Sequence, residues 1–335
     1  MGETSVGVVV IGRNEGERLR ACLRSIPPAN ARVYVDSGSI DGSCALARSL
    51  GFDVVELASP PGFTAARARN EGVERLLAAR PDLAFVQTID GDCVLHEGWL
   101  DRALSDMAGD ARRAAVFGRR RERFPAANLY HAATDHEWNV PLGEVAACGG
   151  DALLRIAALR EVDGYDGALI AGEEPEMCLR LRQRGWRIWS NGAEMTLHDI
   201  AMTRFAQWWR RSQRTGFAFA QLVRMYGSTA DAHWRRLMRS ALAWSAIAVA
   251  PVGLLVAALA MRQPALAVVA LAFAALLGVQ VVRLARQQRA VGSGWRNALL
   301  WGWLIIAGKL AQSQGWVQFQ LQQLLKRRTG LIEYR

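Results

Sequence analysis

The chain has 335 residues, 51% hydrophobic and 21% charged, a balance that excludes a disordered polymer and requires a large buried core. Its 41 basic residues against 31 acidic ones give a formal charge of +10, which would ordinarily raise nucleic acid as a partner. The first 199 residues, however, carry 29 acidic against 23 basic side chains, and residues 200–335 carry 18 basic against 2 acidic, so the basic half is also the apolar half and nucleic acid is not an expected partner.

Met1-Gly2-Glu3-Thr4 lacks the basic start of a secretory signal, and the apolar run Val6–Ile11 is only strand length, so the first domain is expected to stay in the cytosol. The five cysteines (Cys22, Cys44, Cys93, Cys148 and Cys178) are odd in number and form no CxxC pair, which argues for reduced thiols over a disulfide framework or zinc site. After the strand at Val6–Ile11, a helix is expected at Arg18–Ser25, with Leu19, Cys22 and Leu23 on one face. A strand at Arg32–Asp36, a helix at Gly42–Leu50, a strand at Val54–Glu56, a helix at Thr64–Ala79 and a strand at Leu83–Ile89 follow. This alternation predicts a mainly parallel sheet covered by helices, with ligands beyond the carboxyl ends of its strands, where Asp36 and Asp90 lie. The run Arg119-Arg120-Arg121-Glu122-Arg123 reads as a solvated face or loop. Ala152–Arg160 is expected to be helical, Asp163-Gly164-Tyr165-Asp166-Gly167 a turn, and Pro175–Arg184 a helix stopped by Gly185. Pro175 suits a first helical turn, and Glu173 and Glu174 then sit at its positive end.

No charge occurs in the 22 residues Ser240–Met261 or the 20 residues Gln263–Val282, each enough for about 30 Å of hydrocarbon. A membrane hairpin linked by Arg262-Gln263-Pro264 is expected. Arg235, Arg236 and Arg239 before it and Arg283, Arg286 and Arg289 after it predict that both flanks face the cytoplasm. A third helix, about 296–326, is apolar over Ala298–Ala307 but interrupted by Lys309, Gln312, Gln314, Gln318 and Gln320. It reads as an interfacial amphipathic helix in preference to a third span, which would carry Lys326-Arg327-Arg328 to the far side. The expected organisation is a cytosolic domain over 1–230 and a membrane region over 231–335.

Thr88-Ile89-Asp90-Gly91-Asp92 delivers two carboxylates from a hydrophobic strand into the expected ligand crevice. Two hard anions suit Mg²⁺ or Mn²⁺, which complete their shells with phosphate and water. Val8–Glu15, Val35-Asp36-Ser37-Gly38-Ser39-Ile40-Asp41-Gly42-Ser43, Ala68-Arg69-Asn70-Glu71-Gly72 and this DxD, in that order, resemble the nucleotide-sugar half of family 2 glycosyltransferases. Gly149-Gly150-Asp151-Ala152-Leu153 and Gly172–Arg182 resemble that family's acceptor half and acidic catalytic motif, so the resemblance covers about residues 5–220.

The resemblance implies a Rossmann-like α/β GT-A nucleotide-sugar domain, here followed by an α-helical membrane region of bacterial type. It implies a nucleoside-diphosphate sugar as donor, Ile11, Arg13, Asn14, Glu15 and Asp36 around the nucleoside, and Arg69 near the base or phosphates. It also implies that Asp90 and Asp92 hold the metal that meets the diphosphate. Asp36 has a second reading as a cap of the following helix, and Arg69 reads equally as a partner of Glu71 or Glu74. An inverting mechanism needs a general base, implied at Glu173-Glu174; the commoner motif ends in Asp, so Glu174 is one methylene longer. The alternative for both is simple capping of the helix dipole. His198 is implied as a metal or diphosphate ligand, against a core histidine. Arg210 and Arg214 would hold a diphosphate or an anionic lipid, with Trp208 and Trp209 at the bilayer interface.

The function implied is transfer of one sugar to a lipid-linked or glycan acceptor at the cytoplasmic face of the inner membrane, in cell-surface polysaccharide or glycolipid synthesis. Two alternatives stand beside it: a nucleotidyltransferase, against which the loop Ile11–Glu15 lacks a Gly-rich basic character, and a non-catalytic membrane scaffold. The sequence leaves the sugar, the nucleotide and the oligomeric state open.

Overall fold

The computed structural model describes residues 6–28, 31–60, 62–290 and 294–325. These form two compact units: one holds the described residues up to Ala127 together with Thr134–Ala201, the other Asn128–Ala133 and the described residues from Met202 onward.

The first unit opens with the expected alternation: β1 (Val6–Gly12), α1 (Glu17–Ser25), β2 (Ala31–Asp36), α2 (Ser43–Ser49), β3 (Asp53–Glu56), α3 (Ala65–Ala79) and β4 (Phe85–Asp90). β1 pairs in parallel with both β2 and β4, and β2 with β3. Near-continuous apolar runs such as Val8-Val9-Val10 are buried on both faces of such a sheet. Gly72 is what lets α3 lie this close: a Cβ there would stand 2.3 Å from Val9 Cγ1.

The sheet is mixed rather than mainly parallel. After β5 (Cys93–Leu95) and α4 (Trp99–Ala108) come β6 (Arg113–Glu122), α5 (Leu129–Glu137), β7 (Gly143–Val145) and β8 (Ala152–Arg155), then α6 (Ile156–Glu161), α7 (Glu173–Gln183) and β9 (Arg187–His198). Strand order is β3-β2-β1-β4-β8-β6-β9-β5, with β7 on β9, and β8 runs antiparallel to both β4 and β6. Two expectations are corrected here. Residues 152–155 are a strand, because Ala152 pairs with Thr88 and Leu153 with Gln87 in the middle of the sheet. Arg119–Glu122 are strand too, and register shifts around Arg119 re-aim the neighbouring side chains.

The second unit contains α8 (Phe205–Tyr226), a short 3₁₀ turn at Gly227–Thr229, α9 (Ala232–Met261), α10 (Pro264–Ala290) and α11 (Trp295–Leu324). Within this unit α8 packs along α11. A Cβ on Gly216 would meet Gln312 O at 2.0 Å, and one on Gly315 would meet Gln213 O at 2.0 Å, so the helices touch backbone to backbone, as small residues permit. Trp209 Nε1 donates to Gln314 at 2.8 Å and Gln213 to Gln318 at 3.0 Å. Two of the glutamines that interrupt the apolar run of α11, Gln314 and Gln318, are therefore bonded to α8. Trp208, expected at the interface, is 6% exposed and seated over Gly308. Helices α9 and α10 have the length and composition to cross a membrane, and only 6% and 11% of their most apolar stretches are buried, unlike core helices of a soluble domain.

Candidate active site

Asp90 ends β4, next to the end of β1, and Gly91 turns the chain so that Asp92 follows on the same rim. Gly91 N–H donates to Ile11 O at 2.8 Å, and a Cβ there would lie 3.1 Å from that oxygen, a tight approach that favours the glycine of the DxD. Arg69, 3% exposed on α3, bridges Asp90 and Glu173: Nη2 is 2.8 Å from Asp90 Oδ1 and Nη1 2.8 Å from Glu173 Oε1. It does not pair with Glu71 or Glu74 in these contacts. Gly150 makes room for this bridge, because a Cβ would stand 2.5 Å from Arg69 Nη2.

The Arg119–Arg123 run contributes Arg120, which sequence reasoning had placed in solvent. Its Nη2 lies 3.2 Å from Asp90 Oδ2 and 4.0 Å from Asp92 Oδ1, and its Nε 3.6 Å from Asp151 Oδ2. Its guanidinium sits 4.6 Å from the Trp138 ring centroid. Asp151 is buried, accepting Asp90 N–H at 2.9 Å and the Thr196 hydroxyl at 2.9 Å. It stands in the quoted GGD motif, but only the β4–β8 pairing shows that it backs Asp90.

His198 ends β9 and joins Asp92 to Glu122: Nε2 is 3.2 Å from Asp92 Oδ2 and Nδ1 3.0 Å from Glu122 Oε2. Burial and Arg120 oppose its protonation, but the bonds to Asp92 and Glu122 outweigh them and raise its pKa. Burial likewise opposes ionising Asp92, yet His198, Arg120 and Arg18 together hold it below the usual carboxylate range. Glu15, on the loop after β1, is pushed up to about 7 by burial and by Asp92, against the pull of Arg18 at 2.6 Å.

The nucleoside-side residues lie on adjoining loops. Asp36 is 2% exposed, accepts Gly38 N–H at 2.9 Å, Ser39 N–H at 2.7 Å and the Tyr34 hydroxyl at 2.8 Å, and so staples its own turn. Asn14 ties that turn to the Ile11–Glu15 loop by accepting from Ile40 N–H at 2.8 Å while its own N–H reaches Ser39 Oγ at 2.9 Å. Arg13 stands 5.3 Å from the Phe63 ring centroid.

Glu173 and Glu174 open α7, behind Gly172 at φ 81°. Glu173 faces Arg69, whereas Glu174, 9% exposed, accepts Cys148 N–H at 2.6 Å and the Cys178 thiol at 3.0 Å. Glu176 is occupied by Arg180 at 2.6 Å. Arg210 and Arg214 belong to α8, in the second unit. The arrangement offers Asp92 and His198, whose donor atoms lie within 4.8 Å of one another, with Asp90 on the same rim, as oxygen and imidazole donors suited to a Mn²⁺- or Mg²⁺-like cation, and beside them the buried Arg69 and half-buried Arg120, suited to phosphate.

Residues 7–161 match the family model for Glycosyl transferase family 2. The chain is 29% identical over 206 residues to the Succinoglycan biosynthesis protein ExoA of Rhizobium meliloti, covering 56% of this chain and 60% of that protein. It is 35% identical over 113 residues to glycosyltransferase AglE of Haloferax volcanii, covering 31% and 36%. The chain thus spans between 36% and 60% of the length of these two relatives. Its fold is similar to that of mannosyltransferase PcManGT from Pyrobaculum calidifontis, solved with GDP-Man and Mn²⁺, at a TM-score of 0.57 and 18% identity over 92% of this chain and 86% of that one.

Proposed function

We propose that the chain, whose residues 7–161 match the family model for Glycosyl transferase family 2, is a metal-dependent inverting glycosyltransferase that moves one sugar from a nucleoside-diphosphate donor to a lipid-linked or glycan acceptor. The observation that carries this is the convergence of Asp90, Asp92, His198, Arg69, Arg120 and Glu173 on one rim of the sheet.

The loops Ile11–Glu15 and Ser37–Asp41, clasped by Asn14 and Asp36, take the nucleoside. Asp90, Asp92 and His198 would hold the divalent cation, which supplies positive charge to the departing diphosphate. Arg69 and Arg120 add fixed positive charge beside it. Glu174 takes the proton of the acceptor hydroxyl as that oxygen attacks from the face opposite the leaving group, while Glu173 holds Arg69 in place. Supporting a lipid-linked acceptor and a site on the cytoplasmic face of the inner membrane are the exposed apolar surfaces of α9 and α10, with Arg210 and Arg214 on α8 facing anionic headgroups. Confinement to the same surface raises encounters without added affinity.

The test is nucleoside-diphosphate release by the full chain in lipid nanodiscs, supplied with Mn²⁺ and a panel of UDP- and GDP-sugars. Asp92→Ala should abolish release, and Glu174→Gln should lower turnover by at least about 100-fold while leaving donor binding intact. Absence of binding and cleavage across the panel would sink the proposal, and release of pyrophosphate would favour nucleotidyl transfer instead.

A further inference from the structure

The buried face of α7 holds side chains that the transfer chemistry leaves unassigned. Cys178 lies four residues past Glu174, on the same helical face, and its Sγ is 3.0 Å from Glu174 Oε1. The same oxygen accepts Cys148 N–H at 2.6 Å, and the two sulfurs stand 3.6 Å apart. All three residues are buried. Burial, Cys148 and Glu174 push the Cys178 thiol well above its ordinary range, so it keeps its proton and acts as a donor.

A glutamate has one more rotatable bond than an aspartate, and a base of that length needs an extra restraint to hold one geometry. We propose that Cys178, backed by Cys148, is a positioning residue for Glu174: its thiol and the Cys148 N–H fix Oε1 from two sides and leave Oε2 for the acceptor hydroxyl. The inference rests on Glu174 being the base. The next acidic side chain, Glu176, does not compete for the thiol because Arg180 holds both of its oxygens.

Turnover is measured on the full chain in nanodiscs with Mn²⁺ and UDP-glucose or GDP-mannose, beside thermal unfolding. Cys178→Ala and Cys178→Val, which lack a donor but differ in volume, should each lower kcat about 10- to 100-fold with donor KM within about twofold. Cys178→Ser, which restores a hydroxyl donor, should recover most of that loss. In the infrared spectrum of substrate-free protein, the S–H band that disappears in Cys178→Ser should lie below the frequency of an unbonded thiol and rise in Glu174→Gln. Parental kcat in both the alanine and valine variants, a serine variant no better than alanine, or a band at the unbonded frequency would each overturn the inference. Parental turnover in Glu174→Gln would remove the base assignment and this inference with it, whereas loss there beside parental Cys178 variants removes the inference alone. The infrared band is read without substrate and decides whichever donor the enzyme uses.

Discussion

One carboxyl and one imidazole at the rim, Glu15 and His198, give two handles on pH. Glu15 binds its proton more tightly in the folded chain, about 7 against 4.5, so its contribution is complete below 4.5 and is lost as pH climbs through about 7. In metal-free protein, Glu15→Gln should therefore flatten the fall of Tm over that window relative to the parent. His198, raised by Asp92 and Glu122, must release a proton before Nε2 can ligate a metal. The thermal shift produced by Mn²⁺ should accordingly be larger at about pH 8 than at about pH 6 and disappear in Asp92→Asn. At this scale the place of Asp90 and Asp92 at the end of β4 was legible in sequence, because a hydrophobic run leads into them. Arg120 and Asp151 were not assigned roles, because they meet Asp90 only through strand pairings that join residues 30 and 61 positions apart. The roles of Cys148 and Cys178 depend on distance in the same way.

Among the elements, the alternating first half reads directly from the sequence, since parallel strands buried on both faces leave unbroken Val and Ile runs. The misread pieces are those where local pattern and tertiary pairing compete. Ala152–Arg160 has helical periodicity throughout, yet its first four residues are drawn into the gap between β4 and β6. The arginine run looks solvated because bulges break the alternation that would have marked it as strand. Close approach makes specific positions intolerant. Gly72→Ala would place a methyl 2.3 Å from Val9 Cγ1 and should cost about 1 to 3 kcal/mol in denaturant unfolding. Gly150→Ala crowds Arg69 and Asp90 instead, and should weaken donor binding more than it lowers stability.

For the molecule as a whole, the division at Met202 has a practical outcome. Cutting the chain at 230 leaves α8 without α11 and uncovers Phe217, Ala220 and Leu222, all buried in the intact chain. Ending it at 201 removes α8 altogether. The shorter fragment should be the more soluble of the two in centrifugation assays. The pair of long apolar helices α9 and α10 was legible from its uncharged runs, whereas the packing of α11 on α8 was not, because composition records its glutamines without showing which helix they meet.

The glycine crossing of α8 and α11 also sets an order of events during synthesis. Its partners sit 105 residues apart in the chain, so at ribosomal speeds α8 emerges about 5 to 20 s before the helix it fits. Through that interval the hairpin has left the ribosome while α8 still shows an unmatched greasy stripe.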